Sequence, residues 1–306
     1  MEKITKVRKE NIMLDYRIET FLCVCKHMNY TKAADELKIT QPGVSQHIKY
    51  LENYYGDKLF FYSNKKLTLT HTGLELRDAM ISVNNDNMHL KNVIKERTTG
   101  NKLIKFGATL TIGEFFLPTK ISDFLRNNPQ TLIDFTIGNT KELLDLLEDG
   151  KIDFAMVEGY FKKSGYESRV ISNEKYVLVC ANDYPLEKVD NFKELFMHKL
   201  LLREEGSGTK EILERYLSNH GYAFSDFTSV SIINSIHVIK QLVESGYGIS
   251  FLYEIAVIKE LKEGKLRVVP IAEFDLYHEF NYIWRKNSAF SEFYQTIYHS
   301  LLIRKA

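Results

Sequence analysis

AADELKITQPGVSQHIKYLENYYGDKLF, residues 33–60, joins two short helical patterns through a break that contains no glycine. In the second pattern Val44, Ile48 and Leu51 recur at helical spacing and predict the buried face of a helix. Pro42 suits its first turn, where the missing amide leaves no helical hydrogen bond unmade. The opposite face must then present these residues to solvent or to a partner: Gln41, Pro42, Ser45, Gln46 and Lys49.

The flanking segments complete a small helical unit. Residues 16–29 predict an amphipathic helix, and Thr31 is the predicted N-cap of a second short helix that buries two alanines. Residues 59–70 contain two β-prone runs around a polar turn, which indicates a hairpin. Three helices followed by a hairpin form a winged helix-turn-helix, whose wing residues Lys65 and Lys66 can reach DNA phosphates.

A long helix is predicted after the hairpin. Thr72 and Glu75 have the spacing of a capping box, and the helical pattern continues to the neighbourhood of Thr99. An apolar stripe with alternating steps of four and three residues indicates a seam with a second copy of the chain, in which an asparagine sets the register. Alternatively, the stripe lies on the rest of the same chain. The predicted dimerisation residues are Leu76, Met80, Val83, Asn87, Leu90 and Ile94.

Beyond the long helix, predicted strands alternate with amphipathic helices, a pattern typical of parallel α/β sheets. A cluster of Gly, Lys and Ser residues at 158–165 indicates a crossing between two lobes, and we expect the chain to cross again near residues 271–274. We expect a first lobe from residues 101–161 and 270–306 and a second from residues 162–269. The predicted strands cover residues 103–107, 131–137, 151–159, 176–181, 199–203, 230–232, 248–252 and 266–271.

Composition and motifs exclude several classes of protein. The chain of 306 residues is 44% hydrophobic and 26% charged, typical of a globular protein with more than one domain. No apolar run reaches the ~18 residues of a membrane span and the N-terminus does not resemble a secretion signal, so a cytoplasmic location without a membrane partner is expected. The nine histidines lack metalloprotease spacing and Gly206–Gly208 lacks a P-loop ending. We therefore expect no catalysis, no metal and no cofactor.

Charge and cysteine usage add two expectations. The first 72 residues hold 12 Lys or Arg against 8 Asp or Glu, a charge of +4 that leaves −3 for the rest of the chain. A mildly basic head permits a polyanion partner. Cys23 and Cys25 point in different directions on a predicted helix and cannot share a metal, and Cys180 lacks an internal partner for a redox switch.

The quoted run and the following LTLTHTG resemble the N-terminal signature of LysR-type transcriptional regulators. FGATLTIGEFFLP, DGKIDFAMVEG, LREEGSGT and VESGYGISFL extend the resemblance over nearly all of the chain. It implies an all-α winged helix-turn-helix DNA-binding domain at residues 15–72, a dimerising linker helix at 73–100, and a two-lobed α/β effector-binding domain at 101–306, similar to periplasmic binding proteins. LREEGSGT and TIGEFFLP are most similar to the branch that regulates sulfur assimilation and carbon-fixation operons.

The resemblance assigns the helix from Gln41 to Glu52 to the DNA major groove, with its outward residues near base edges or adjoining phosphates. The alternative is an ordinary solvated polar face. Residues that would grip the DNA backbone are Thr31, Lys32, Thr40, Lys65 and Lys66.

Two features depart from the family pattern. The family usually has an arginine shortly after the pair that is Leu59 and Phe60 here, whereas this chain continues with Phe61 and Tyr62. One phosphate contact near the wing is therefore in doubt. Residues 1–14 precede the usual start of the family pattern. Either this segment is a basic arm, or translation begins at Met13 and the residues before it are not part of the protein.

Ligands of open α/β lobes bind beyond the carboxyl ends of the strands. Residues 108–113, 138–140 and 203–209 meet that description, and Asn234 is a weaker fourth position. Hydroxyls beside helix N-termini, with Arg203, suit a small anion such as sulfite, sulfate or a phosphorylated metabolite. Because Glu204 and Glu205 bring negative charge close by, an amino acid is an alternative ligand to an anion. For each position, the alternative role is that the residue only caps a helix. The effector-binding candidates are Thr109, Thr111, Gly138, Asn139, Thr140, Arg203, Ser207, Thr209 and Asn234.

We therefore expect a sequence-specific DNA-binding regulator whose DNA binding or bending responds to a small molecule held between two lobes. The expected partners are double-stranded promoter DNA, a small-molecule effector, further copies of the chain in a homodimer or homotetramer, and RNA polymerase. Two alternatives stay open. One is a regulator without an effector, and the less favoured one is a solute-binding protein, which the fused DNA-binding head opposes.

Overall fold

A computed structural model describes residues 15–272 and 274–303 of the chain. Contacts between Cα atoms divide it into an N-terminal unit that extends to Ile94 and includes residues 287–289, and a C-terminal unit formed by the remainder. The predicted extension at residues 1–14 lies outside the described part of the chain.

The N-terminal unit is a three-helix core with a two-stranded wing. Its helices are α1 (Tyr16–His27), α2 (Tyr30–Leu37) and α3 (Gln41–Tyr55), and the antiparallel strands are β1 (Phe60–Ser63) and β2 (Lys66–Leu69). Val44, Ile48 and Leu51 all face the buried core with the two alanines of α2. The turn between the strands places Asn64 and Lys65 at φ 50° and 60°. Positive φ at both central residues matches the strand twist of a tight hairpin.

Two predicted helix starts are wrong by two residues. The cap of α2 is Asn29 rather than Thr31, because the Asn29 side-chain oxygen accepts from the amides of Thr31 and Lys32 at 2.9 and 3.0 Å. Thr31 is thus already helical. The long helix α4 (His71–Thr99) starts after Thr70, whose hydroxyl accepts from the Gly73 amide at 2.8 Å. The predicted capping box does not form there, since the Thr72 hydroxyl donates to Asp57 instead.

The apolar stripe of α4 divides between two environments. Leu76 is buried in the core of the N-terminal unit and Met80 packs against that core. Val83, Leu90 and Ile94 are exposed, the last at 55%. The part of the predicted seam that an oligomer can still cover therefore begins at Val83 and continues to Ile94.

The C-terminal unit is built on one mixed sheet of nine strands, in the order β4-β3-β5-β11-β6-β9-β7-β8, with β10 paired to β6. Parallel pairs form β4-β3-β5 on one side and β9-β7-β8 on the other, which gives two lobes. The strands are β3 (Lys102–Thr109), β4 (Thr131–Gly138), β5 (Phe154–Val157), β6 (Tyr166–Ala181), β7 (Lys199–Leu202), β8 (Ser229–Ile232), β9 (Ile249–Tyr253), β10 (Leu266–Val268) and β11 (Leu276–Arg285). The helices are α5 (Pro118–Asn127), α6 (Thr140–Glu148), α7 (Gly208–Asn219), α8 (Ile236–Glu244), α9 (Ile258–Lys262) and α10 (Ser291–Leu302).

The predicted parallel strand pairs form, but within a mixed sheet that also contains antiparallel pairs. The long strands β6 and β11 run antiparallel beside each other between the two parallel sets, with a bulge between Phe280 and Asn281. Strand β11 was not predicted, because its first half contains the adjacent polar residues His278 and Glu279 and only its second half is continuously buried. The predicted strand at 151–159 shortens to β5, since Glu158 and Gly159 already belong to the crossing between lobes.

Candidate DNA-binding surface and effector cleft

The outward face of α3 is polar and accessible. Gln41, Pro42, Gln46 and Lys49 are exposed and Ser45 is half-buried. The Gln41 amide donates to the Ser45 hydroxyl at 3.0 Å, so these two side chains form a small polar unit at the start of the helix. Amide and hydroxyl groups can donate to and accept from base edges in a major groove.

The N-terminal unit has four exposed lysines on α2, on α3 and in the wing: Lys32, Lys49, Lys65 and Lys66. None of them forms an ion pair with any residue in the ranges 15–272 and 274–303. Thr40 caps α3, and its hydroxyl accepts from the Gly43 amide at 3.2 Å, which leaves its own hydrogen available to a phosphate. Thr31 is exposed on α2. Unpaired ammonium groups are suited to neutralise phosphates.

Sequence reasoning missed a second group next to α3. The Arg17 guanidinium lies 3.5 Å from the centre of the Tyr50 ring and binds both oxygens of Asp15. His47, on α3, contacts the Thr20 hydroxyl at 2.9 Å, and burial holds the pKa of this imidazole below its usual value. His47 therefore supports the packing of α3 on α1 rather than offering a charge to DNA.

A cysteine, a histidine and a glutamate come together on α1 and α2. Ligand atoms of Cys23, His27 and Glu36 lie within 4.8 Å of one another. However, Lys26 also binds Glu36 at 3.1 Å, and burial raises the pKa of the Cys23 thiol to about 11. A buried thiol with a raised pKa is a poor metal ligand, because the metal needs the thiolate. The contacts are those of a surface ion-pair network.

Glu158, which was not predicted as a site residue, lies where the two lobes meet. Its side chain is 1% exposed and follows directly after β5. Thr109 from the first lobe donates to Oε2 at 3.0 Å, and Thr209 from the second lobe donates to Oε1 at 2.8 Å. Burial raises the pKa of this carboxyl, and the hydrogen bonds and the charge of Arg203 oppose the rise. One carboxyl thus joins both lobes.

Arg203 is the charged partner in the cleft and is 2% exposed. Its Nε and Nη2 donate to the carboxylate of Glu204 at 2.8 and 2.9 Å. Its Nη1 is buried and has no hydrogen-bond partner in the described part of the chain, and the same holds for the hydroxyl oxygens of Thr140 and Ser207. Buried polar atoms normally form hydrogen bonds, so these three groups can donate to a small ligand.

The two lobes meet backbone to backbone at two glycines. A Cβ placed on Gly208 would lie 2.6 Å from the Cα of Gly159, and one placed on Gly159 would lie 2.6 Å from the Thr140 hydroxyl oxygen. Gly206 adopts φ +84°, and a Cβ there would lie 3.3 Å from the Asn139 side-chain oxygen. The loop before α7 therefore closes onto the start of α6.

The other predicted effector positions have mixed placements. Thr111 is buried in the cleft, and Gly138 is buried at the end of β4. Asn139 forms a capping box with Glu142, so its side chain serves α6. Asn234 is exposed, and the neighbouring Ser235 caps α8.

A further groove of about 710 Å³ opens between the lobes near α8. His237 from the second lobe approaches Glu114 from the first at 3.3 Å. Buried Lys240 donates to Glu260 at 2.7 Å. The groove lining includes Phe115, Pro118, Thr119, His237, Lys240 and Ile255.

Family models match both units of the chain. Residues 16–74 match the bacterial regulatory helix-turn-helix protein model of the lysR family, and residues 98–301 match the LysR substrate binding domain. The chain belongs to the LysR family of transcriptional regulators, as the resemblance predicted. It is a regulator that combines a DNA-binding head with an effector-binding domain, and not an enzyme.

Three relatives illustrate the branch. An HTH-type transcriptional regulator of Methanocaldococcus jannaschii, MJ0300, is 30% identical over 84% of this chain and 88% of its own. The regulator CysL of Bacillus subtilis is 29% identical over 87% and 89%, and the RuBisCO operon transcriptional regulator of Allochromatium vinosum is 24% identical over 90% and 91%. These names confirm the predicted likeness to the sulfur-assimilation and carbon-fixation branch.

Solved structures share the fold. OxyR of Corynebacterium glutamicum superposes with a TM-score of 0.59 at 22% identity, covering 96% of this chain and 93% of its own. The regulatory domain of CcmR from Synechocystis, solved in complex with 2-PG, superposes with a TM-score of 0.58 at 19% identity, covering 65% and 95%. Among the described helices, none is both long and apolar enough to cross a membrane.

Proposed function

We propose that this regulator binds a pseudo-palindromic promoter site as a homodimer or homotetramer and changes DNA bending or half-site choice when a small molecule occupies the cleft around Glu158 and Arg203. The observation that carries the DNA-binding part is the exposed polar face of α3. Val44, Ile48 and Leu51, on the other side of the helix, are buried in the core of the N-terminal unit, whereas Ser45 and Lys49 remain accessible.

The proposed DNA contacts are of two chemical kinds, those with base edges and those with phosphates. Ser45 and Gln46 read base edges, because their groups can donate and accept. Lys32, Lys65 and Lys66 hold phosphates and set the orientation without reading sequence. Thr31 and Thr40 donate hydroxyls to the same backbone. Exposed Phe61 and Tyr62 stand where the family usually has an arginine, so the wing supplies its positive charge from the turn instead.

The unpartnered donors of Arg203, Thr140 and Ser207 support a ligand in the cleft. They come from both lobes, so a ligand that contacts all three favours one arrangement of the lobes over another. Only such differential binding can shift DNA affinity. A neighbour of the same fold was solved with the small molecule 2-PG.

Oligomerisation uses the exposed part of the α4 stripe. Val83, Leu90 and Ile94 present apolar surface, and Asn87 lies between them at the spacing that specifies register. Since its partner is promoter DNA, we place the protein in the cytoplasm, with RNA polymerase as a further partner at the promoter.

A gel-shift titration with fragments from upstream of the gene tests the DNA function. We expect a preferred fragment that is bound at least ~10³-fold more tightly than competitor DNA at physiological salt. Equal affinity for all fragments would reject sequence-specific binding.

A thermal-shift screen with sulfite, sulfate, phosphate esters and amino acids tests the cleft. A ligand present at 100 times its Kd should stabilise the protein by ~2.7 kcal/mol. No stabilisation by any of these classes would favour the alternative of a regulator without an effector.

A further inference from the structure

Glu158 does not fit a site built only for anions. Arg203, Thr140 and Ser207 offer unpartnered buried donors, yet a carboxyl group lies among them. The placement follows from the close contacts. Gly208 lies between Ser207 and Thr209, and a Cβ on it would lie 2.9 Å from the Cγ of Glu158. Thr140 is next to Gly159, the neighbour of Glu158.

The hydroxyls of Thr109 and Thr209 each occupy one lone pair of the Glu158 carboxyl, and the Thr111 side chain also faces this carboxyl. Each carboxylate oxygen has a second lone pair that can accept another hydrogen bond. An ionised Glu158 therefore accepts hydrogen bonds and cannot donate one. A ligand oxygen placed against it must carry a hydrogen, or two acceptors face each other.

We propose that Glu158 restricts the cleft to small oxyanions that carry their own proton donor at neutral pH, with inorganic phosphate as the ligand, and rejects acceptor-only oxyanions such as sulfate. This inference rests on the proposed effector site. In it, Arg203 Nη1, Ser207 and Thr140 donate to the charged oxygens, and the P–O–H group donates to Glu158.

Phosphate and sulfate have nearly the same size, so the proton is what separates them. Inorganic phosphate keeps at least one O–H at neutral pH, and sulfate keeps none. Replacing a matched hydrogen bond by two opposed acceptors in a buried site leaves both unsatisfied. We expect phosphate to bind at least about tenfold more tightly than sulfate at neutral pH.

Acidification should relax this selectivity. The charged and titratable groups that face Glu158 are Arg203, Tyr176 and Tyr253. Burial raises the pKa of both Tyr176 and Tyr253 well above the usual tyrosine value, so neither tyrosine titrates near neutrality. Once protonated, Glu158 can donate to sulfate. Because burial raises its pKa, this occurs at a higher pH than for an ordinary glutamate.

Isothermal titration calorimetry on the full chain tests the inference with inorganic phosphate and sulfate at matched ionic strength. Glu158→Gln should lower the phosphate-to-sulfate affinity ratio about tenfold or more, because the amide can donate to sulfate. Thr140→Val should weaken phosphate binding and so assign it to the cleft. Glu205→Gln is the control, since that carboxylate is exposed and paired with Lys210, and it should leave the ratio unchanged.

Wild-type affinities measured between acidic and neutral pH provide a readout that needs no variant. Sulfate should bind more tightly as the pH falls, while phosphate changes less. Equal affinities at neutral pH, no heat with phosphate, or an unchanged ratio in a folded Glu158→Gln variant would each overturn the inference. Gel shifts on the same samples separate it from the regulator function, because sequence-specific DNA binding does not require the cleft to prefer phosphate.

Discussion

Gly159 and Gly208, one from each side of the cleft, are in backbone contact: a Cβ on Gly208 would lie 2.6 Å from both the Cα and the amide nitrogen of Gly159. Because backbone cannot move aside as a flexible side chain does, a methyl group there must separate the lobes. The contact thus makes the closed arrangement dependent on residues without side chains.

Gly208→Ala should therefore destabilise the protein by about 1–3 kcal/mol or hold the cleft open, since overpacked positions shift the backbone. Chemical denaturation and ligand titration measure both effects. Gly165→Ala is the control, because a Cβ there meets only the end of the Arg285 side chain at 3.2 Å. Equal stabilities for the two variants would argue against the backbone contact.

The double change Ser45→Ala with Gln46→Ala should reduce discrimination between promoter and competitor DNA by about 1–3 kcal/mol for each base that is no longer read. The removal of the Ser45 hydroxyl also frees the Gln41 amide, which donates to it at 3.0 Å. Competitive gel shifts give the ratio of affinities. A uniform weakening on all DNA would show that these residues contact phosphates instead.

Changing Lys65 and Lys66 to Ala should weaken binding to every DNA sequence alike and lower the slope of log K against log salt by roughly 2, because two phosphates lose their partners. Fluorescence anisotropy over a salt series measures the slope. Replacing Lys58, which is paired with Glu52 at 2.7 Å, is the matched control and should change the slope less. An unchanged slope in the double variant would remove the wing from the interface.

Leu90→Glu with Ile94→Glu should shift the protein from oligomer towards monomer, because charges in an apolar seam are desolvated without partners. Both side chains are exposed, so folding of each subunit should survive. Analytical ultracentrifugation reports the mass. Met88→Glu, an exposed apolar position next to the stripe, should leave the assembly intact, and the same mass for all variants would place the interface elsewhere.

The raised pKa of Glu158 predicts the sign of a pH effect on stability. A carboxyl whose pKa is higher in the folded state binds more protons there, so the free energy of unfolding falls as pH rises from the unfolded pKa to the folded one. Glu158→Gln removes this decrease. The stability of the variant relative to wild type should therefore rise with pH, by at most ~1.4 kcal/mol per unit, in urea unfolding from acidic to neutral pH. The opposite trend would mean a lowered pKa.

Local pattern was sufficient where neighbouring residues decide the structure. The period of Val44, Ile48 and Leu51 located α3 and its polar face, and the turn residues located the wing. Helix starts were less predictable, because several adjacent side chains can cap the same helix. In the structure Asn29 and Thr70, rather than Thr31 and Thr72, accept hydrogen bonds from the first amides of α2 and α4.

The cleft was only partly predictable. Arg203, Ser207 and Thr209 follow from the rule that ligands bind beyond strand ends, and a charged residue directly after a buried run was the available signal for Glu158. Its two threonine partners are 49 and 51 residues away in the chain, and no local pattern records such a distance.

From sequence alone came the family, the two kinds of domain and the polar face of α3, because each depends on short-range periodicity or on motifs in a fixed order. Tertiary structure decided the antiparallel β6 and β11 pairing, the burial of Leu76 and Met80, and the meeting of Glu158 with Thr109 and Thr209. These depend on which distant segments pack together, since burial and hydrogen bonding are properties of the folded surroundings rather than of the residue itself.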